Sequence, residues 1–137
     1  MTELQTVFAK TLELAQSLKE TEELRFYFAS KAAYEADHTL QGKIFEYETQ
    51  RKILAQEFQK ETADQSPALI SAIRDRLGVL GAEIVENHNY KEYEESKRKV
   101  NDLMSRVNDS ISAEVFGIQP SSCTHDCSTC SGCSSHN

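Results

Sequence analysis

Tryptophan is missing from this 137-residue chain, proline occurs twice and glycine five times. So few chain breakers exclude the closely spaced turns that an all-β fold requires. No apolar run approaches the roughly 18 residues of a membrane span. The opening MTELQTVFAK lacks the basic-then-apolar profile of a secretory leader. A cytoplasmic protein without a membrane span is expected. Cations are the minority, 15 Lys and Arg against 22 Asp and Glu, for a net charge of −7. That is the wrong sign for a face that grips phosphates, so no direct nucleic-acid binding is expected. Gly-rich phosphate loops, G-x-S-x-G and H-E-x-x-H are also absent, and carboxylates such as Glu92, Glu94 and Glu95 read as a solvated helix face. The chain is expected to be no enzyme, with no catalytic residue.

What remains is helical periodicity. Leu4, Phe8, Thr11, Ala15 and Leu18 alternate four and three apart, and Thr2 with Gln5 has the spacing of a capping box, predicting a helix over 3–19. Thr21 ahead of Glu22 and Glu23 predicts a second helix, to about residue 35, which includes the aromatic run Arg25-Phe26-Tyr27-Phe28. Asp37 caps a third, in which Leu40, Ile44, Tyr47, Arg51, Leu54 and Phe58 keep the same spacing to about residue 60. Ser66-Pro67 restarts the chain into a fourth helix with Ile70, Ile73, Leu77, Leu80 and Ile84 on one stripe. Asn87 or Asn89 caps a fifth, with Tyr93, Lys97, Val100, Met104, Val107 and Ile111 on its stripe, ended by Gly117 and Pro120.

The expected fold is therefore all-α: an antiparallel bundle of about five helices with a long central helical hairpin. It forms a domain over 1–119, followed by a Cys-rich tail over 120–137. Several stripes are narrow, which predicts apolar surface left for self-association or a helical partner. Arg51 is the one charge in the third helix's seam, and Tyr47, Arg51 and Phe58 are the candidate partner-binding residues.

All four cysteines fall in the tail, as Cys123-x3-Cys127-x2-Cys130-x2-Cys133. In a reducing compartment such a cluster reads as a metal site, and four thiolates complete the shell of one centre. The last three have the spacing of the ferredoxin-type run, and Cys123 reaches the remaining iron of a 4Fe–4S cluster. Four-thiolate zinc is the alternative, although structural zinc sites usually draw two ligand pairs from separated knuckles. The C-x3-C-x2-C run also matches radical enzymes that use S-adenosylmethionine, but those are large barrels with strands, unlike this chain. His125 and His136 are surplus to four thiolates, and His38 and His88 sit at helix junctions without a second ligand at helical spacing.

With this helix order, Glu22-Glu23-Leu24, Tyr27, Lys31, Ala33 and Asp37 follow an E-E-Y-x2-Y-x3-K-x-A-x3-D pattern. Asn87-x5-Tyr93 leads on to Val107-Asn108-x2-Ile111. In these motifs the chain resembles the YlbF/YmcA family of small helical bacterial regulators, over about residues 3–115 and into the tail. Leu24 stands where that family often has Tyr, and His88 where Pro is usual, which predicts a softer start to the last helix. The Cys-rich tail looks like the YlbF branch. The resemblance implies a non-catalytic adaptor that works in a hetero-complex with related subunits, or with itself, and carries an iron–sulfur cluster. It further implies a part in competence, sporulation and biofilm control, and in messenger RNA processing by RNase Y. From the residues alone, a small iron–sulfur electron carrier and a self-associating bundle with structural zinc stay open.

Overall fold

The structure, a computed structural model, describes residues 2–118. Five α-helices follow one another, α1 (Glu3–Lys19), α2 (Glu22–Ala36), α3 (His38–Gln59), α4 (Pro67–Glu86) and α5 (His88–Phe116), with a short 3-10 turn at Thr62–Asp64 between α3 and α4. No strand occurs among the described residues. The all-α architecture read from the sequence holds, and each helix starts where a side chain can satisfy its first amides. Thr2 accepts from the Gln5 N–H at 3.1 Å while its own N–H donates to Gln5 Oε1 at 2.8 Å, completing the capping box. Thr21 accepts from Leu24, Asp37 from Leu40 and Ser66 from Leu69, with Pro67 in the first turn of α4.

The chain forms two compact units, Met1–Val100 and Asn101–Asn137, and the boundary falls within α5. In the first unit, α3 and α4 make the main contact as an antiparallel hairpin. Early residues of α3 meet late residues of α4: Lys43 pairs with Glu83 at 3.3 Å, and Arg76 donates two hydrogen bonds of 2.9 Å to Glu46. Among the described residues the buried apolar side chains are few, Leu40 on α3 and Ile73, Leu80 and Ile84 on α4, all of them expected stripe positions. In the second unit, α5 ends at Phe116, and Gly117 follows with a φ of +67°, a left-handed conformation that glycine adopts without a Cβ penalty.

The third seam departs from expectation at its end. Phe58 is 45% exposed and its neighbour Glu57 is buried instead. The connection to α4 explains the exchange. Glu57 Oε1 accepts the Ser66 N–H at 2.7 Å, and its Oε2 pairs with Lys60 at 2.9 Å, so the carboxylate holds the loop closed from beneath. Phe58 turns outward and lies under the Arg74 guanidinium, 5.3 Å from the ring centroid. The narrow stripes leave surface uncovered, as expected. Phe45, Val79 and Val85 are exposed on the hairpin, and α1 has no buried residue at all.

Candidate functional site

The motif residues of the second and fifth helices converge on one junction. Asp37 closes α2 and opens α3; its Oδ1 accepts the Leu40 N–H at 3.0 Å. Its Oδ2 accepts from the amides of Asn87 at 3.2 Å and Asn89 at 3.0 Å, and Asn87 Oδ1 in turn accepts the Tyr90 N–H at 3.0 Å. One carboxylate therefore ties the α2–α3 turn to the α4–α5 turn. This cap satisfies the Tyr90 N–H at the start of α5, where a softer start was expected. Nearby, Tyr93 meets Tyr34 at 4.7 Å and Tyr27 at 5.9 Å between ring centroids, and Lys97, paired with Glu94 at 2.7 Å, lies 4.6 Å from the Tyr93 centroid. Burial, then the Tyr27 hydroxyl, raise the Tyr93 pKa, and the Glu94 carboxylate raises that of Lys97. Tyr27, Asp37, Asn87 and Tyr93 thus build the scaffold.

Hydrogen bonds from Leu40, Asn89 and Asn87 hold the Asp37 carboxyl below its ordinary value of 3.8. A depressed folded-state pKa contributes stability that is fully present above the unfolded value and is lost as pH falls through the folded one. The Asp37→Asn variant keeps an oxygen for Leu40 but turns an amide donor toward the two asparagine donors. It is expected to melt about 5 °C below the parent at pH 7. The gap should narrow as pH is lowered from 5 to 2, read by circular dichroism. A gap independent of pH would remove the charge from this account.

Beside the junction is a groove of about 280 Å³. It is lined by Ile44, Ile84 and Val85, the rings of Tyr34, Tyr47 and Tyr90, and Glu48 and Arg51, with Gly81 on α4. A Cβ at Gly81 would lie 3.6 Å from the Tyr47 ring, an ordinary contact, so the bare backbone there is a packing surface for that ring. Arg51 is exposed and, like its neighbour Lys52, has no ion-pair partner among the described residues. The other hairpin lysines and arginines are engaged: Lys43, Lys60 and Arg76 pair with carboxylates, and Arg74 covers Phe58. Arg51 was expected within an apolar seam. It lies at the solvated edge of that seam, where a guanidinium keeps its hydration.

The structure brings Tyr47 and Arg51 together but sets Phe58 apart, in a second groove of about 460 Å³ with Pro67, Ile70 and Arg74. Tyr34 and Tyr90 were not anticipated beside Tyr47, because a seam reading orders residues along one helix and these come from α2 and α5. Cys123, Cys127, Cys130, Cys133, His125 and His136 lie outside the described residues, as does the expected tail over 120–137. Among the described residues, no group of three or more His, Cys, Asp or Glu side chains has the placement to hold a metal ion. No described helix is long and apolar enough to cross a membrane. Among these residues every buried side-chain nitrogen and oxygen has a hydrogen-bond partner.

A capped all-helical scaffold, with a small core and a tyrosine-lined groove beside unpaired cations, defines a small helical protein rich in uncovered surface. The family described as control of competence regulator ComK, YlbF/YmcA, matches residues 7–115, and the chain belongs to that family. Among curated proteins none matches the chain.

Proposed function

We propose that the protein is a non-catalytic regulatory adaptor subunit. It docks a protein partner at the Tyr34–Tyr47–Tyr90 groove and binds a 4Fe–4S cluster through Cys123, Cys127, Cys130 and Cys133. Membership of a family concerned with competence control supports a regulatory role. The observation that carries the docking reading is Arg51: an exposed, unpaired guanidinium beside three tyrosines and an apolar lining. Tyrosine and arginine are the residues enriched where proteins meet, because each presents a wide apolar body with a polar end. The partner should present a carboxylate next to an apolar side chain. Related family subunits are the proposed partners, and RNase Y is reached through the complex they form. Four thiolates suit a cluster better than the hard oxygen donors of the helical body do, and the cluster would supply sensitivity to iron or oxygen. Phe58, in its separate groove, is a second contact for the same assembly.

The Arg51→Glu substitution tests the docking face. Among the described residues Arg51 has no ion-pair partner, so helicity and melting temperature are expected to stay within error, while partner affinity falls at least about tenfold. The measurement is copurification of tagged wild-type and variant chains with family subunits from a native host, followed by titration of the isolated complex. Undiminished binding, or a collapsed melting transition, would contradict the assignment.

A further inference from the structure

The tyrosines of the groove come from three different helices, so its shape depends on whatever fixes those helices to one another. Tyr47 is seated within the α3–α4 hairpin, with its ring against Gly81. Tyr34 comes from the last turn of α2 and Tyr90 from the first turn of α5. A continuous run of hydrogen bonds joins the backbones of these two. The Tyr34 carbonyl accepts from the Asp37 N–H at 3.4 Å and from Gln41 Nε2 at 2.8 Å. Asp37 Oδ2 accepts from Asn87 Nδ2 at 3.2 Å, and Asn87 Oδ1 accepts from the Tyr90 N–H at 3.0 Å. We propose, building on the docking reading, that Asp37 is a positioning residue for partner binding: its carboxylate sets where Tyr34 and Tyr90 stand in the groove.

The second amide on the same oxygen makes the carboxylate selective. Asn87 and Asn89 are both competent N-caps, and a helix begun at Asn89 would leave Tyr90 as its first residue, with no side-chain acceptor for its N–H. Asp37 Oδ2 also accepts from Asn89 Nδ2, at 3.0 Å, and with that amide held it is Asn87 Oδ1 that caps α5. Asparagine at position 37 could not do the same. The carboxylate accepts on both oxygens at once, from Leu40 on Oδ1 and from the two amides on Oδ2, whereas a carboxamide has one oxygen and would turn a donor toward one set. Farther along α5 the Tyr34 and Tyr93 rings stay 4.7 Å apart between centroids. Loss of the clamp therefore shifts the first turn of α5 about that contact without releasing the helix.

Fluorine NMR of the full chain carrying 3-fluorotyrosine tests the proposal at neutral pH, because five tyrosines give five signals, assigned by Tyr→Phe variants. Asp37→Asn should displace the Tyr34 and Tyr90 signals beyond their linewidths and leave that of Tyr47 in place. Family subunits copurified with wild type should bind this variant at least about fivefold more weakly. Exchanging the two residues, Asp37→Asn with Asn87→Asp, restores the charge, a bond across the two turns and an acceptor for the Tyr90 N–H, and should return affinity to within about twofold of wild type. Ile73→Val, a change in the buried core away from the groove, should lower the melting temperature by a few degrees and alter neither readout.

Tyr34 and Tyr90 signals that stay in place, or that move no more than that of Tyr47, overturn the proposal. So does an exchange that recovers neither readout, an Ile73→Val variant that reproduces both effects, or unchanged affinity of Asp37→Asn in a chain whose binding Arg51→Glu weakens. If Arg51→Glu leaves binding intact while the two fluorine signals move as expected, the docking reading fails and the positioning of the tyrosines by Asp37 stands.

Discussion

Truncating Leu80 to Ala is expected to lower the free energy of unfolding by about 3 kcal/mol. Leu80 is 0% exposed and, among the described residues, is one of four buried apolar side chains, with Leu40 on α3 and Ile73 and Ile84 on α4. The cavity would open where the fold has least to spare. With total stabilities of about 5–15 kcal/mol in domains of this size, a loss of that order removes a large fraction of the whole. Urea unfolding followed by circular dichroism measures it as a lowered midpoint. Leu12→Ala, at a position 66% exposed, should shift the same transition by less than about 0.5 kcal/mol at concentrations where the chain is monomeric. Equal losses at the two positions would mean that the core is not where the structure places it.

The second large effect concerns the tail. Replacing Cys127, Cys130 and Cys133 together by Ser is expected to abolish metal content while leaving helicity and melting temperature nearly unchanged. The tail from residue 120 offers six Ser, two Thr and no aliphatic side chain, so it has little apolar surface to contribute to a core. The helical body rests on its own caps and on the α3–α4 hairpin. Metal analysis and far-ultraviolet circular dichroism of the same preparation decide the matter. A large loss of helicity in the triple variant would make the tail part of the folding unit.

Helix limits were legible because caps are local. Thr2, Thr21, Asp37, Ser66 and Asn87 each act within three residues of themselves, and a sequence displays that range directly. The bond from Asn89 to Asp37 spans 52 positions and was not legible, although both residues stood out as possible caps. At Glu57 the four-three pattern pointed to Phe58, and the requirement that overrode it was the unpaired Ser66 amide across the turn. Hydrophobic spacing ranks residues by what they bury and is silent about which carboxylate a loop needs. For the candidate docking face, Tyr47 and Arg51 were found by spacing because they lie on one helix. Tyr34 and Tyr90 required the third dimension. The exposure of α1 was only half visible: its seam is as regular as that of α4, and periodicity does not say whether the covering helix lies in the same chain.

We propose a helical regulatory subunit that carries an iron–sulfur cluster on Cys123, Cys127, Cys130 and Cys133. The direct measurement is iron, acid-labile sulfide and zinc per chain in anaerobically purified full-length protein, together with its visible absorption spectrum. Four iron and four sulfide per cluster, with a broad absorption band that bleaches on exposure to air, is the predicted result. One zinc per chain in a colourless protein would contradict it and make the four thiolates a structural zinc site.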